Sequence, residues 1–270
     1  AMMGVPTFYV RLVDDARLTR EATKNMRVFI SGSAPLLADT HDAFREKTGH
    51  AILERYGMTE TNMNTSNPYD GDRVAGTVGF PLPGVSLRVV DPETGKKLAA
   101  DEIGMIEVKG ANVFKGYWRM PEKTAAEFKT DGFFITGDLG KIDARGYVQI
   151  VGRGKDLVIS GGFNVYPKEV ENEIDAIAGV VESAVIGVPH ADFGEQPIAV
   201  VVLQRGTPAT LETAQAIAAQ AGEVLGKIKR PQRMVFVDGL PKLETGKLLR
   251  RKLKEQYRDQ PLAGFALRDS

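Results

Sequence analysis

The chain reads as an α/β region followed by a smaller α+β region. Two observations predict this. Short apolar runs such as Arg27 to Ile30 and Glu182 to Val188 alternate with segments of helical character, such as Asp39 to Thr48 and Thr210 to Leu225. Between the regions lies a glycine-rich stretch, Val151 to Glu171. There a charged Arg153-Gly154-Lys155-Asp156 turn, a Gly161-Gly162 bend and a Tyr166-Pro167 helix start follow one another. The stretch reads as a joint between two domains, residues 1–154 and 155–270, while an ordinary hairpin accounts equally for Arg153 to Asp156 taken alone.

At 43% hydrophobic over 270 residues, the chain can bury a large core and supports more than one domain. Its 35 Lys and Arg balance 35 Asp and Glu with both signs interspersed, so no broad basic field invites a nucleic-acid partner; Lys247 to Lys254 is only a local basic run. No apolar run approaches the roughly 20 residues that cross a bilayer. The absence of cysteine excludes disulfides, thiolate metal sites and a thiol nucleophile, and with no signal-like opening it points to a reducing, cytoplasmic compartment. His41, His50 and His190 are far apart without metal-ligand spacing and read as surface or loop residues.

Ala1 to Phe8 is already apolar, as if the chain began in the middle of a natural fold. Phe8, Leu12, Val13 and Leu18 fall near helical spacing over residues 7–24. After the strand Arg27 to Ile30, the small residues Ser31-Gly32-Ser33-Ala34-Pro35 either let the backbone lie against a flat ligand, where open α/β sheets bind, or form a plain strand-to-helix turn. Next, Ala51 to Thr61 places Tyr56, Gly57, Met58, Thr59 and Glu60 at the end of a strand. A ring there can stack on a base, a glycine can allow close approach, a hydroxyl can bond a phosphate oxygen, and a carboxylate can hold Mg²⁺. A strand end with a capping Thr and a solvated Glu has the same letters.

Residues 76–150 predict strands at Ser86 to Val90, Gly104 to Lys109 and Gly146 to Val151, separated by turn signals. Asp138 closes the run Phe133 to Gly137; its carboxylate suits the vicinal hydroxyls of a ribose, or it forms a turn after Gly137. The single tryptophan, Trp118, reads as packing. Beyond the joint, the pattern predicts a helix from Glu169 to Ala178, strands at Glu182 to Val188, Gln196 to Gln204 and Arg233 to Val237, and the Ala-rich helix Thr210 to Leu225, bounded by Pro167, Pro189 and Pro208.

Taken in order, Ser31 to Leu36, Tyr56 to Glu60, Gly76 to Gly84, Thr136-Gly137-Asp138, the Arg153 stretch and Pro241-Lys242-Leu243-Glu244-Thr245-Gly246-Lys247 resemble the motifs of adenylate-forming acyl-CoA synthetases over nearly the whole chain. The resemblance implies the end of a large adenylation domain with a small β-barrel subdomain, then a mobile C-terminal domain. It implies ATP, Mg²⁺ and coenzyme A as reaction partners of a small carboxylic acid. It assigns nucleotide binding to Ser33, Ala34, Pro35, Tyr56, Gly57, Met58, Thr59, Asp138 and Arg153, and Mg²⁺ to Glu60. Thr59, Glu60 and Lys247 become catalytic, Lys155 the hinge, and Gly161, Gly162 and Phe163 the coenzyme A face. Lys247 also matches a position acetylated in relatives, which implies an acetyltransferase and a deacetylase as partners; acetylation removes the charge.

Gly4 to Leu12 and Thr65 to Arg73 resemble malonyl-CoA synthetases, and Arg11 either pairs bidentately with the carboxylate that is not activated or is a solvated arginine on a surface helix. From Leu240 onward the chain is more similar to general fatty or aryl acyl-CoA ligases, so those acids, a carrier-protein thiol as acceptor, and a non-catalytic nucleotide-binding module stay open as alternatives. The Ser/Thr/Gly-rich phosphate loop that such enzymes carry upstream is not in the chain, which leads to the expectation that the chain alone is incomplete for activity.

Overall fold

The computed structural model describes residues 1–226, 229–243, 246–260 and 263–267, and the chain divides into two units, Ala1–Val151 and Gly152–Ser270.

The first unit opens with β1 (Met2–Gly4), α1 (Pro6–Asp14), α2 (Arg20–Thr23), β2 (Phe29–Ser31), α3 (Ala38–Thr48), β3 (Leu53–Met58), β4 (Asn62–Ser66) and β5 (Phe80–Pro81). These strands form one sheet in the order β1-β2-β3-β4-β5, parallel across β1, β2 and β3 and antiparallel from β3 to β5. The single helix expected over residues 7–24 is two. Asp15 ends α1 in an extended conformation and Thr19 caps α2 by accepting from Ala22 N at 3.2 Å, so the apolar spacing spans a break. Tyr9, Phe29, Leu36, Phe44 and Ile52 make the core between these helices and the sheet, with Phe44 edge-on to both Tyr9 and Phe29.

The unit continues with β6 (Val85–Val90), β7 (Gly104–Gly110), α4 (Pro121–Glu127), β8 (Phe134–Ile142) and β9 (Val148–Arg153). The expected small barrel is an open four-stranded sheet, in the order β6-β7-β8-β9 among the described residues. Each strand pairs with its neighbour in sequence, so the two ends of the sheet are not joined. Val89, Ile106, Val108 and Phe134 fill its core, against which Met58 of β3 packs.

The second unit contains a 3₁₀ turn (Gly154–Asp156), β10 (Val158–Ser160), β11 (Phe163–Val165), α5 (Pro167–Asp175), β12 (Val180–His190), β13 (Gly194–Leu203), α6 (Leu211–Val224), β14 (Arg233–Phe236), α7 (Arg250–Arg258) and β15 (Phe265–Ala266). The sheet runs β11-β10-β13-β14-β15, with β12 paired antiparallel to β13 along its length. Two cores lie on its two faces. Val170, Ile174, Ala214 and Ile217 from α5 and α6 close one, and Leu253 and Tyr257 from α7 close the other. Pro189, expected as a boundary, sits inside β12 opposite Glu195, near the strand end where a missing N–H is tolerated.

Arg250 at the start of α7 is the electrostatic centre of this unit. Its guanidinium donates to Glu171 Oε2 at 2.7 Å and to the Val185 carbonyl at 2.8 Å, and Nε lies 3.8 Å from Asp156. Glu171 also accepts from Val185 N at 2.7 Å, so the buried pair is hydrogen-bonded on both sides, which is what a desolvated ion pair needs.

Asp175, at the C-terminal end of α5, is less well served. Burial pushes its carboxyl up to about 6, against Ser183 and Lys168, which pull it down, and with Glu171 and Glu182 adding to the rise. The folded state thus holds this proton more tightly than the unfolded chain, where Asp titrates near 3.9. The resulting cost is absent below about pH 4, grows through the window up to about 6 and is complete above it. Asp175→Asn is expected to stabilise the protein at pH 7.5 by on the order of 3 kcal/mol at most, and to give no gain at pH 4, as read from chemical denaturation at the two pH values.

Candidate functional site

Two of the sequence-derived site residues meet directly. The Tyr56 hydroxyl, near the end of β3, donates to Asp138 Oδ2 of β8, tying the first sheet to the second. Asp138 is buried and lies in the middle of β8, not at the end of the run before it. The strand passes through Gly137 at φ +73° and continues to Ile142. Thr136 supports it, donating its hydroxyl to the Ile106 carbonyl at 2.8 Å and accepting from Asp138 N at 3.1 Å.

Gly57 does permit a close approach, but the partner is the chain itself. A Cβ at Gly57 would stand 1.9 Å from the Asn62 carbonyl oxygen, because β3 and β4 shift register between Tyr56 and Gly57. That irregularity sets the turn Thr59-Glu60-Thr61 between the two strands, with Thr59 exposed and Glu60 half-buried. The turn is clamped from the loop before α4. Phe114 N donates to the Glu60 carbonyl at 2.7 Å, and Asn112 Nδ2 donates to the Thr61 carbonyl at 2.7 Å. The Tyr117 hydroxyl lies 3.3 Å from Glu60 Oε1 and donates to Glu127 Oε2 at 2.6 Å.

The loop carrying Ser33, Ala34 and Pro35 follows β2 at the C-terminal end of the parallel strands and lies beside β3, where a Cβ at Gly32 would contact the Arg55 carbonyl oxygen at 3.5 Å. Ser33 holds φ +71°, an uncommon conformation for a residue with a Cβ, and is exposed along with Pro35. Beneath this loop is a pair the sequence reading did not anticipate. His41 of α3 is 1% exposed, with Nδ1 3.4 Å from the buried Glu54 of β3. It is therefore a core residue. Burial pushes the Glu54 carboxyl up, and His41 together with the Gly76 and Leu36 amides pulls it back. Arg11 lies exposed in the last turn of α1.

Trp118, expected to pack, is instead 84% exposed, with the Arg119 guanidinium 5.7 Å from its ring. The loop carrying it uses left-handed backbone at Gly116 (φ +145°) and Arg119 (φ +55°), which turns the neighbouring Tyr117 inward and Trp118 outward.

In the second unit, Arg153 ends β9, and the exposed Lys155 sits in the 3₁₀ turn with its carbonyl 3.3 Å from Lys254 Nζ. Gly161 (φ +58°) and Gly162 (φ +82°) form the two-residue turn from β10 to β11, both positions requiring positive φ, and Phe163 beyond them is exposed. The exposed Lys247 lies where two arms of chain meet: Leu243 N donates to its carbonyl at 2.9 Å, and Lys242 bridges Leu248. Gly246 before it holds φ +82°. Glu244 and Thr245 of this motif lie outside the described residues.

The model of the AMP-binding enzymes matches residues 1–118, and that of the AMP-binding enzyme C-terminal domain matches residues 169–247. The chain belongs to the AMP-binding, adenylate-forming enzyme family. It is 38% identical to a long-chain-fatty-acid–CoA ligase of Bacillus subtilis across 94% of this chain and 45% of that ligase. It is 35% identical to a malonate–CoA ligase of Arabidopsis thaliana across 95% of this chain and 44% of that one. It superimposes on ATP-bound MatB from Rhodopseudomonas palustris with a TM-score of 0.91 and 67% identity, over 95% of this chain and 50% of MatB. The chain thus spans about half the length of the curated relatives it matches. Among the described residues, no helix is long and apolar enough to cross a membrane, and no group of three or more His, Asp or Glu side chains could hold a metal.

The register shift at Gly57 gives a direct test. Gly57→Ala must displace the Asn62 carbonyl or break the β3–β4 pairing. It is expected to cost more than about 2 kcal/mol in urea unfolding, as overpacking against backbone does.

Proposed function

We propose that this chain is part of an AMP-forming acid–CoA ligase that activates malonate. The observation that carries the reading is the 67% identity to ATP-bound MatB over 95% of the chain, supported by the similarity to malonate–CoA ligases. The carboxylate attacks the α-phosphorus of ATP to give acyl-adenylate and pyrophosphate, and the thiol of coenzyme A then displaces AMP.

In this reading the adenosine is held by Tyr56 and Asp138, with Ser33, Ala34, Pro35, Gly57, Met58 and Arg153 completing the nucleotide contacts. A carboxylate offers about four acceptor sites, so the bond from Tyr56 to Asp138 is compatible with ribose hydroxyls on the same group. Thr59, exposed in its turn, bonds phosphate oxygen. Glu60 is a single half-buried carboxylate, which fits Mg²⁺, a cation that commonly takes one or two protein carboxylates and completes its shell with nucleotide phosphates and water. When bound, Mg²⁺ neutralises phosphate charge.

Lys247 supplies an ammonium to the charge that develops in adenylation. Its acetylation by an acetyltransferase, reversed by a deacetylase, would remove that charge. Lys155 serves as the hinge of a mobile domain at residues 155–270, while Gly161, Gly162 and Phe163 face coenzyme A, and Arg11 pairs with the second carboxylate of malonate. The setting assigned is the cytoplasm, where a chain without cysteine needs no oxidising compartment.

A second reading, a fatty or aryl acid as substrate, is favoured by the 38% identity to the Bacillus subtilis fatty-acid ligase and by the 32% identity to the structure of an anthranilate–CoA ligase. An amine acceptor is the variant suggested by 29% identity to an amide bond synthetase at a TM-score of 0.85, and a carrier-protein thiol is a further alternative acceptor. Acid-dependent ATP–pyrophosphate exchange with a carboxylate panel separates these readings, measured on the chain with any sequence that flanks it in its natural protein. Malonate is expected to give the highest exchange, and exchange with no acid would overturn the enzymatic reading.

Lys247→Ala is expected to lower adenylation at least about a hundredfold while thioester formation from supplied acyl-adenylate stays within a few-fold; normal exchange would remove Lys247 from this role. Arg11→Leu is expected to lower kcat/KM for malonate about tenfold or more relative to a monocarboxylate of similar length, with unchanged discrimination counting against the pairing.

A further inference from the structure

The hydroxyl of Tyr117 stands between two carboxylates, 2.6 Å from Glu127 Oε2 and 3.3 Å from Glu60 Oε1. A phenol has one proton, so the short contact to Glu127 takes most of it and Glu60 the minor share. The ring is fixed on several sides. Lys123 Nζ lies 4.1 Å above its centre, the Phe114 ring meets it edge-on at 4.8 Å, and Tyr117 N donates to Thr124 Oγ1 at 2.9 Å.

We infer that Tyr117 is a positioning residue for Glu60, setting the orientation in which its carboxylate meets a divalent cation on the nucleotide phosphates, with Glu127 anchoring Tyr117. The inference rests on the assignment of Glu60 as cation ligand made above. The Glu60 main chain is already held by Phe114 N from the same loop, so the side chain is the part left to be set, and the Tyr117 hydroxyl is the contact that sets it. Charge balance points the same way. Two carboxylates that converge on one hydroxyl repel, and Lys123, 4.0 Å from Glu127 Oε1, offsets the Glu127 side. A cation at Glu60 would offset the other. A carboxylate held in one rotamer binds that cation without losing side-chain freedom at the moment of binding.

The test is calorimetric titration of ATP into the chain, with any natural flanking sequence, in EDTA and in MgCl₂. The wild type is expected to bind ATP in both and more tightly with Mg²⁺. Tyr117→Phe is expected to keep the metal-free affinity within about twofold and to lose about five- to tenfold of the Mg²⁺-dependent gain. Glu127→Gln should move the same way by a smaller factor, and it decides the matter if Tyr117→Phe fails to fold by circular dichroism. An unchanged Mg²⁺ gain in both variants overturns the inference, as does an equal loss with and without Mg²⁺, which a purely structural role would give. A wild type that binds ATP with no Mg²⁺ effect removes the role of Glu60 and this inference with it, while one that binds no ATP overturns the proposed function itself.

Discussion

The register between β3 and β4 is the constraint on which the geometry of the candidate site in the first unit depends. On one side β3 is locked in parallel to β2, with Ile30 opposite Leu53. On the other it pairs antiparallel to β4 with a shift at Gly57, where no side chain fits. A one-residue slip would send Tyr56 to the opposite face of the sheet. Asp138 would then lose the Tyr56 hydroxyl, and the Thr59-Glu60-Thr61 turn would no longer meet Phe114, Asn112 and Tyr117. Position in this site is thus set by backbone pairing first and by side-chain contacts second.

The two units solve the problem of buried charge differently. In the second, Arg250 and Glu171 are hydrogen-bonded to each other and to the Val185 backbone and join α7, α5 and β12, so the start of α7, three residues after Lys247, is anchored to the sheet. In the first, His41 and Glu54 face each other at 3.4 Å under the Ser33 loop, and the nearby Asn67 side chain donates to the Glu54 and Thr77 carbonyls while accepting from Val74 N. The Arg250–Glu171 pair is hydrogen-bonded, whereas His41 Nδ1 and Glu54 Oε1 lie buried without a close hydrogen bond; buried polar groups that are satisfied specify a single geometry at the cost of tolerating few substitutions.

Much of the strand and helix pattern was legible because branched apolar runs and capped helical segments carry local signals. Examples are β12 and β13, and α6 with Thr210 as its cap. The length of β8 was not, because Gly137-Asp138 also reads as a turn. In the fold Gly140 is required by the neighbouring strand: a Cβ there would lie 2.5 Å from the Gln149 carbonyl oxygen. The burial of His41 depends on a partner thirteen residues away in another element, which no local period records. In the candidate site, the Tyr56-to-Glu60 run and Asp138 were visible as motifs, while Tyr117 was overshadowed by the larger ring beside it. A tyrosine directly after a glycine, in a loop leading into a helix that carries Glu127, was the available signal.

That larger ring has a practical consequence. Trp118 is the sole indole in the chain and stands almost fully in solvent. Its native emission is therefore already that of a water-exposed chromophore and changes little when the core melts. Its response is confined to the segment next to Tyr117, so the protein carries a built-in fluorescent reporter of that loop, and quenching by a soluble agent such as iodide would register any ligand that shields it.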